Sequence, residues 1–298
     1  MALTQGQAFG LLVLYCVTYV TPLHTSPSTR PSPTRNRDHP STIQARIRAV
    51  SLSTTVCSIC TLIILYIYHD DSAPLSPWTL MGYWPVGLVP TVKACFLTAL
   101  LFAAPLFEAL VVDGIWQDWA RLQPLKDLWS QWTSWRNYVA GPVTEECLFR
   151  SAGVPLLLIA GTSMTRTVLL SPVVFGLAHI HHFYEFRITN PDVPLPMALA
   201  RTVLQFSYTS LFGIYETFLF IRTGSLLAVI LVHSFCNSMG LPRVWGRVEP
   251  WWMSVEEARG PVGTRLTVVY YVLLFAGAAA WYRALLPLTD NALALAVL

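Results

Sequence analysis

Apolar and polar positions alternate along this chain in long blocks rather than at the short period of a half-buried strand. Eight apolar stretches, near 6–23, 48–68, 90–112, 139–160, 164–186, 199–221, 224–240 and 266–288, can each cross or nearly cross a bilayer, which takes about 20 helical residues. A lipid-facing segment must satisfy its own backbone hydrogen bonds, so runs of this length predict helices. The expected fold is all-α, a polytopic transmembrane helix bundle of about eight spans with residues 1–298 forming one membrane domain. The first stretch lacks a basic n-region and a clear small-residue cleavage site, which favours a retained span over a signal peptide.

The polar blocks suggest an orientation. Residues 24–42 are rich in Pro, Ser, Thr and Arg, a composition that cannot bury a core and predicts a flexible loop. Arg30, Arg35, Arg37, Arg46 and Arg48 face one acid there, Asp38, whereas 69–90 holds Asp70 and Asp71 and no Lys or Arg. By the positive-inside rule the first loop is cytoplasmic and the second lies across the membrane. Alternation then returns 113–138, 187–198 and 243–265 to the cytoplasm.

Composition sharpens the picture. Charged residues make up 12% of the chain and hydrophobic ones 54%, against roughly 25% charged in a soluble domain. An ordinary soluble enzyme is excluded, and the net charge of +3 brings no basic stripe that would read nucleic acid. Cys57 and Cys60 form a CxxC inside an apolar run without a second pair at metal-finger spacing, and are expected to pack rather than ligate.

Ionisable groups inside a span are costly and call for a reason. Glu108, the pair Glu145–Glu146 and Glu216 stand out. The pair lies in Gly141-Pro142-Val143-Thr144-Glu145-Glu146-Cys147-Leu148-Phe149-Arg150, where Gly-Pro and Thr144 resemble a helix start with acids in its first turn. Glu146 and Arg150 are i, i+4 with the acid first, the favourable order for an ion pair, and Glu145 points about 100° away. A second site is Phe175-Gly176-Leu177-Ala178-His179, followed by His181 and His182. A third is His233-Ser234-Phe235-Cys236-Asn237, whose i, i+4 imidazole and amide share a face and suit an oxyanion, with Cys236 turned away. All three sites fall at a similar depth, roughly 10 Å below the cytoplasmic surface at the helical rise per residue, which favours one shared cavity.

The set EExxxR, FxxxH and HxxxN, each on its own helix, resembles the CAAX prenyl endopeptidase family of the Ras-converting type, within the glutamate-type intramembrane proteases. The chain is also similar to the eukaryotic branch at Arg37-Asp38-His39-Pro40-Ser41-Thr42-Ile43, at His179–His182 and at Arg222-Thr223-Gly224-Ser225. The resemblance spans roughly 37–240. It implies a multi-pass protein of the endoplasmic reticulum membrane, its active site facing the cytoplasm, that removes the last three residues from prenylated (farnesyl or geranylgeranyl) CAAX proteins such as Ras-like small GTPases. Carried over, Glu145 and His179 activate the water, His233 and Asn237 hold the oxyanion, and Glu146 with Arg150 support the site. No cofactor and no metal are implied, and no HExxH occurs; zinc held by Glu145, His179 and His233 stays chemically open. The competing reading is a proton-coupled transporter using the same intramembrane Glu and His residues, which calls for inverted repeats that the sequence does not display.

Overall fold

The computed structural model describes residues 3–32, 35–68 and 75–296. Asp70 and Asp71, on which the orientation partly rests, lie outside them. Eight main helices follow the eight apolar blocks: α1 (Gln5–Val20), α2 (Pro40–Ile67), α3 (Leu88–Leu101), α4 (132–159), α5 (Met164–Ala178), α6 (Leu195–Thr223), α7 (Leu226–Met239) and α8 (Pro261–Thr289). No strand forms among the described residues, so the all-α expectation holds. Gln5–Thr25, Pro40–Ile67 and Pro261–Thr289 are long and apolar enough to cross a membrane by themselves, and α3 with its continuation Ala103–Val112 makes a fourth if counted as one span.

α2 shows how such a bundle inverts the soluble pattern. Leu52, Val56, Ile59, Ile63 and Ile67 repeat at helical spacing along one exposed stripe, while Ser53, Thr54, Cys57 and Thr61 turn inward. Between helices in lipid, hydroxyls and small residues supply the adhesion that hydrophobic burial supplies in water. Tyr15 on α1 meets Thr61 Oγ1 at 3.0 Å, and Thr61 donates to the Ala152 carbonyl of α4 at 3.0 Å. Cys57 is buried and Cys60 exposed, so the CxxC pair splits across the edge of this face; both thiols are free.

α3 breaks sharply at its end, and the next segment leaves at 81°. Pro105, with no N–H to return to the Leu101 carbonyl, sits one turn past the break and accounts for it. The bend brings Leu101 and Phe102 to the wall of a central cavity. α8 closes against α3 at Gly277, where a Cβ would lie 2.4 Å from the Leu100 carbonyl oxygen, so only glycine permits the approach.

α4 departs from the sequence expectation. Gly141-Pro142 is not a helix start: the helix runs through it, with π-turns at Arg136–Ala140 and Cys147–Ala152 on either side of Gly141–Glu146. Thr144 donates back to the Ala140 carbonyl at 2.7 Å instead of capping. The wide turn sends the Gly141 N–H to Arg136, which leaves the Asn137 carbonyl free, and Pro142 has no N–H for Tyr138. Both released carbonyls are taken by α7: Ser234 Oγ donates to Tyr138 O at 2.8 Å and Asn237 Nδ2 to Asn137 O at 2.9 Å. A local irregularity on α4 thus docks the helix that carries the third motif.

The loop predicted at 24–42 is held at several points. Thr29 is buried, its hydroxyl on Pro22 O at 2.8 Å and its carbonyl accepting Arg46 Nε at 2.6 Å. The Arg46 guanidinium, invisible to composition as an anchor, ties this segment to the bundle.

Candidate active site

The stretch predicted as one span over 164–186 is interrupted at the second motif. α5 ends at Ala178, and a separate short helix, His181–Thr189, follows. The last carbonyls of a helix need donors. His179 Nδ1 gives one to Phe175 O at 2.9 Å, and His181 Nδ1 gives another to Ala178 O at 2.6 Å. This commitment assigns the His179 tautomer, leaving Nε2 with its lone pair turned to the cavity.

Around that nitrogen three helices converge. Glu145 Oε2 of α4 lies 4.0 Å from His179 Nε2 and 3.9 Å from His233 Nε2 of α7. Behind them Glu146, fully buried, binds His233 Nδ1 at 2.6 Å and Arg150 Nη1 at 3.0 Å. The Arg150 guanidinium lies 4.4 Å from the Phe175 ring centroid and reaches the Gly213 carbonyl at 3.5 Å. Gly213 makes room for it: a Cβ there would stand 3.3 Å from Nη2 and 2.8 Å from Pro172. Phe212 and Phe175 flank the His233 ring edge-on, with centroids 4.8 and 6.5 Å away.

The two adjacent glutamates therefore occupy different worlds, separated by the helical step between neighbours. Glu146 belongs to a buried ion pair, and Glu145 reaches a cavity of about 780 Å³ together with His179, His233 and Asn237. Asn237 is exposed at its edge, one amide N–H committed to Asn137 and the other free to donate. Cys236, expected to turn from this face, also lines the cavity. Phe102, Leu211, Tyr215 and Trp281 give it apolar walls, and Arg37, Arg136 and His182 stand on its polar side.

Other sequence candidates resolve differently. Glu108 pairs with Arg243 at 2.7 Å, away from the site. Glu216 is fully buried, and among the described residues neither carboxylate oxygen has a hydrogen-bond partner. Sequence reasoning missed a second buried ion pair, Arg46 Nη2 with Glu185 Oε1 at 2.5 Å, which His182 Nδ1 joins at 3.0 Å. Its members come from the basic first loop region and from the end of the predicted fifth span, so no spacing links them. Among the described residues, the group whose ligand atoms converge closely enough for a metal is His24, His181 and Glu185. Glu145, His179 and His233 do not form such a group.

Apolar helices around an internal carboxylate–imidazole site make this a membrane protein with a polar cavity inside its bundle, and the comparisons with known proteins say of which kind. The model of the Rce1-like type II CAAX prenyl endopeptidases matches residues 90–239. The probable CAAX prenyl protease 2 of Schizosaccharomyces pombe is 38% identical over 265 residues, covering 89% of this chain and 87% of that one. The human CAAX prenyl protease 2 is 34% identical over 253 residues, 81% and 72% of the two chains, and the Arabidopsis thaliana protein is 50% identical over 108 residues, 36% and 34%. No solved structure matches the chain significantly. The chain belongs to the Rce1-like type II CAAX prenyl endopeptidase family. Its activity is peptide hydrolysis in CAAX processing, and the transporter reading has no support among these relatives.

Proposed function

We propose that Glu145 and His179 activate the water with which this CAAX endopeptidase cuts after the prenylated cysteine and releases the C-terminal tripeptide. The observation that carries this reading is the 4.0 Å gap between Glu145 Oε2 and His179 Nε2. Two acceptors at that separation are bridged well by one water. Glu145 takes a proton as the water oxygen bonds to the scissile carbonyl carbon, and the carbonyl electron pair moves to oxygen. His233 donates hydrogen bonds, from Nδ1–H to Glu146 and from Nε2–H to this oxyanion, and both protons stay on the ring. Asn237 adds its free N–H. Collapse breaks the C–N bond, and the proton held by Glu145, relayed through His179, leaves with the tripeptide amine. Pre-oriented donors of this kind act strongly where water is scarce.

The apolar walls formed by Phe102, Leu211, Tyr215 and Trp281 suit an isoprenoid chain. Ras-like small GTPases are proposed among the substrates. The proposed location is the endoplasmic reticulum membrane with the site open to the cytoplasm. Arg37, from the basic first loop, and Arg136, at the start of α4, stand together at the cavity and support that orientation.

The test is tripeptide release from a farnesylated CAAX peptide by the purified full-length protein in the presence of a strong chelator. Release from the prenylated peptide and none from its unprenylated twin is expected. Loss of all activity on chelation, restored by zinc, overturns the metal-free route.

A further inference from the structure

The polar side of the cavity holds an uneven balance of charge. Arg37, Arg46 and Arg136 meet two carboxylates, Asp38 and Glu185. Arg46 is committed to Glu185 at 2.5 Å and to the Thr29 carbonyl, and Arg136 Nη1 to Asp38 Oδ1 at 2.7 Å. Arg37 is different. Its nearest carboxylate oxygens lie at 3.8 Å on Asp38 and 3.9 Å on Glu185, outside hydrogen-bond reach. Its closest polar neighbour is His182 Nδ1 at 3.3 Å, but the proton on that nitrogen is given to Glu185 Oε2 at 3.0 Å, so no lone pair there accepts from arginine. The Arg37 side chain is 39% exposed and lines the cavity shared with Glu145 and His179. Among the described residues it is a fork of donors without a committed acceptor, at the rim of the proposed peptide-cleaving site.

Resting on the function proposed above, we infer that Arg37 is the subsite for the free C-terminal carboxylate of the substrate. A guanidinium fork matches a carboxylate in shape and charge. Three extended residues span about 10 Å between the scissile carbonyl and the chain end. One histidine ring separates Arg37 from the site: the His182 centroid lies 5.9 Å from that of His179, and Arg37 Nη1 lies 3.3 Å from His182 Nδ1. An anchor at this position acts as a ruler. It selects the third bond from the terminus, a choice that apolar walls gripping the isoprenoid do not make alone. Asp38 and Glu185 hold the neighbouring arginines, which leaves the net positive charge on the residue that faces the incoming terminus.

The test compares three farnesylated peptides of one sequence: the free acid, the C-terminal amide, and an amide extended by a cationic aminoethyl group. Wild-type kcat/KM should fall on the order of 10- to 100-fold from acid to amide, the worth of a charge-assisted hydrogen bond. Arg37→Gln should bring the acid down to the amide, chiefly through KM, and Arg37→Lys should keep part of the difference. Arg37→Glu is the second variant, expected to cleave the cationic peptide faster than the acid. Equal wild-type cleavage of acid and amide overturns the inference, as does a full acid preference in Arg37→Gln or Arg37→Glu. Failure of the wild type to cut any of the three peptides would instead remove the endopeptidase reading of the cavity.

Discussion

His233 Nδ1 and Glu146 Oε1 lie 2.6 Å apart across 87 residues of chain, and Arg150 approaches the same oxygen at 3.0 Å. One carboxylate atom thus aligns the imidazole of α7 with the guanidinium of α4. Behind the cavity this arrangement is structural, and in front of it the Glu145 carboxylate makes no hydrogen bond among the described residues, its nearest imidazole nitrogens lying 3.9 and 4.0 Å away. The two glutamates should therefore fail in different ways.

Glu145→Gln is expected to abolish tripeptide release by at least about 10²-fold, the scale of a lost general base. Thermal unfolding in detergent should be unchanged, because no buried partner is stranded. Substantial activity in this variant would remove Glu145 from the reaction.

Glu146→Ala leaves Arg150 buried without its carboxylate. Breaking one side of such a pair costs about 3–5 kcal/mol, so the unfolding midpoint should drop together with activity. A variant as stable as wild type would show that the pair contributes little to holding α4 and α7 in register.

Asn237→Ala removes a neutral donor at the cavity edge and one clasp on the Asn137 carbonyl. A fall in kcat of about 10²- to 10³-fold with little change in KM is expected from an oxyanion donor. A rise in KM at constant kcat would assign the residue to substrate binding instead.

Gly277→Ala would place a methyl 2.4 Å from the Leu100 carbonyl oxygen. Pushing α8 from α3 should cost about 1–3 kcal/mol, as overpacking does. Unfolding in detergent measures it, and an unperturbed midpoint would contradict the close approach of these helices.

A glycosylation acceptor inserted after Asp71 should be modified in microsomes and one inserted near Arg35 should not. The reverse pattern would turn the cavity to the lumen and overturn the orientation.

Much of this was legible in the chain because membranes simplify the code. Long apolar blocks have one stable solution in lipid, so the helices and their order followed from hydropathy. Costly ions inside those blocks marked candidates for a site, and helical spacing turned Glu145 and Glu146 toward different neighbours. Contacts between distant segments left no such trace. The carbonyls of Asn137 and Tyr138 are free only because a π-turn and Pro142 release them, and only α7 packed alongside can use them. His179 became a helix end because its own ring and that of His181 satisfy the last carbonyls, which periodicity reads as continuing helix. The freedom of Arg37 depends on Arg46 and Arg136 having claimed the nearby acids. Sequence determined which groups lipid would force together in a bundle. Tertiary structure decided which of them are spent on one another and which remain free to meet a substrate, because hydrogen bonds reach about 3 Å and only packing brings distant segments that close.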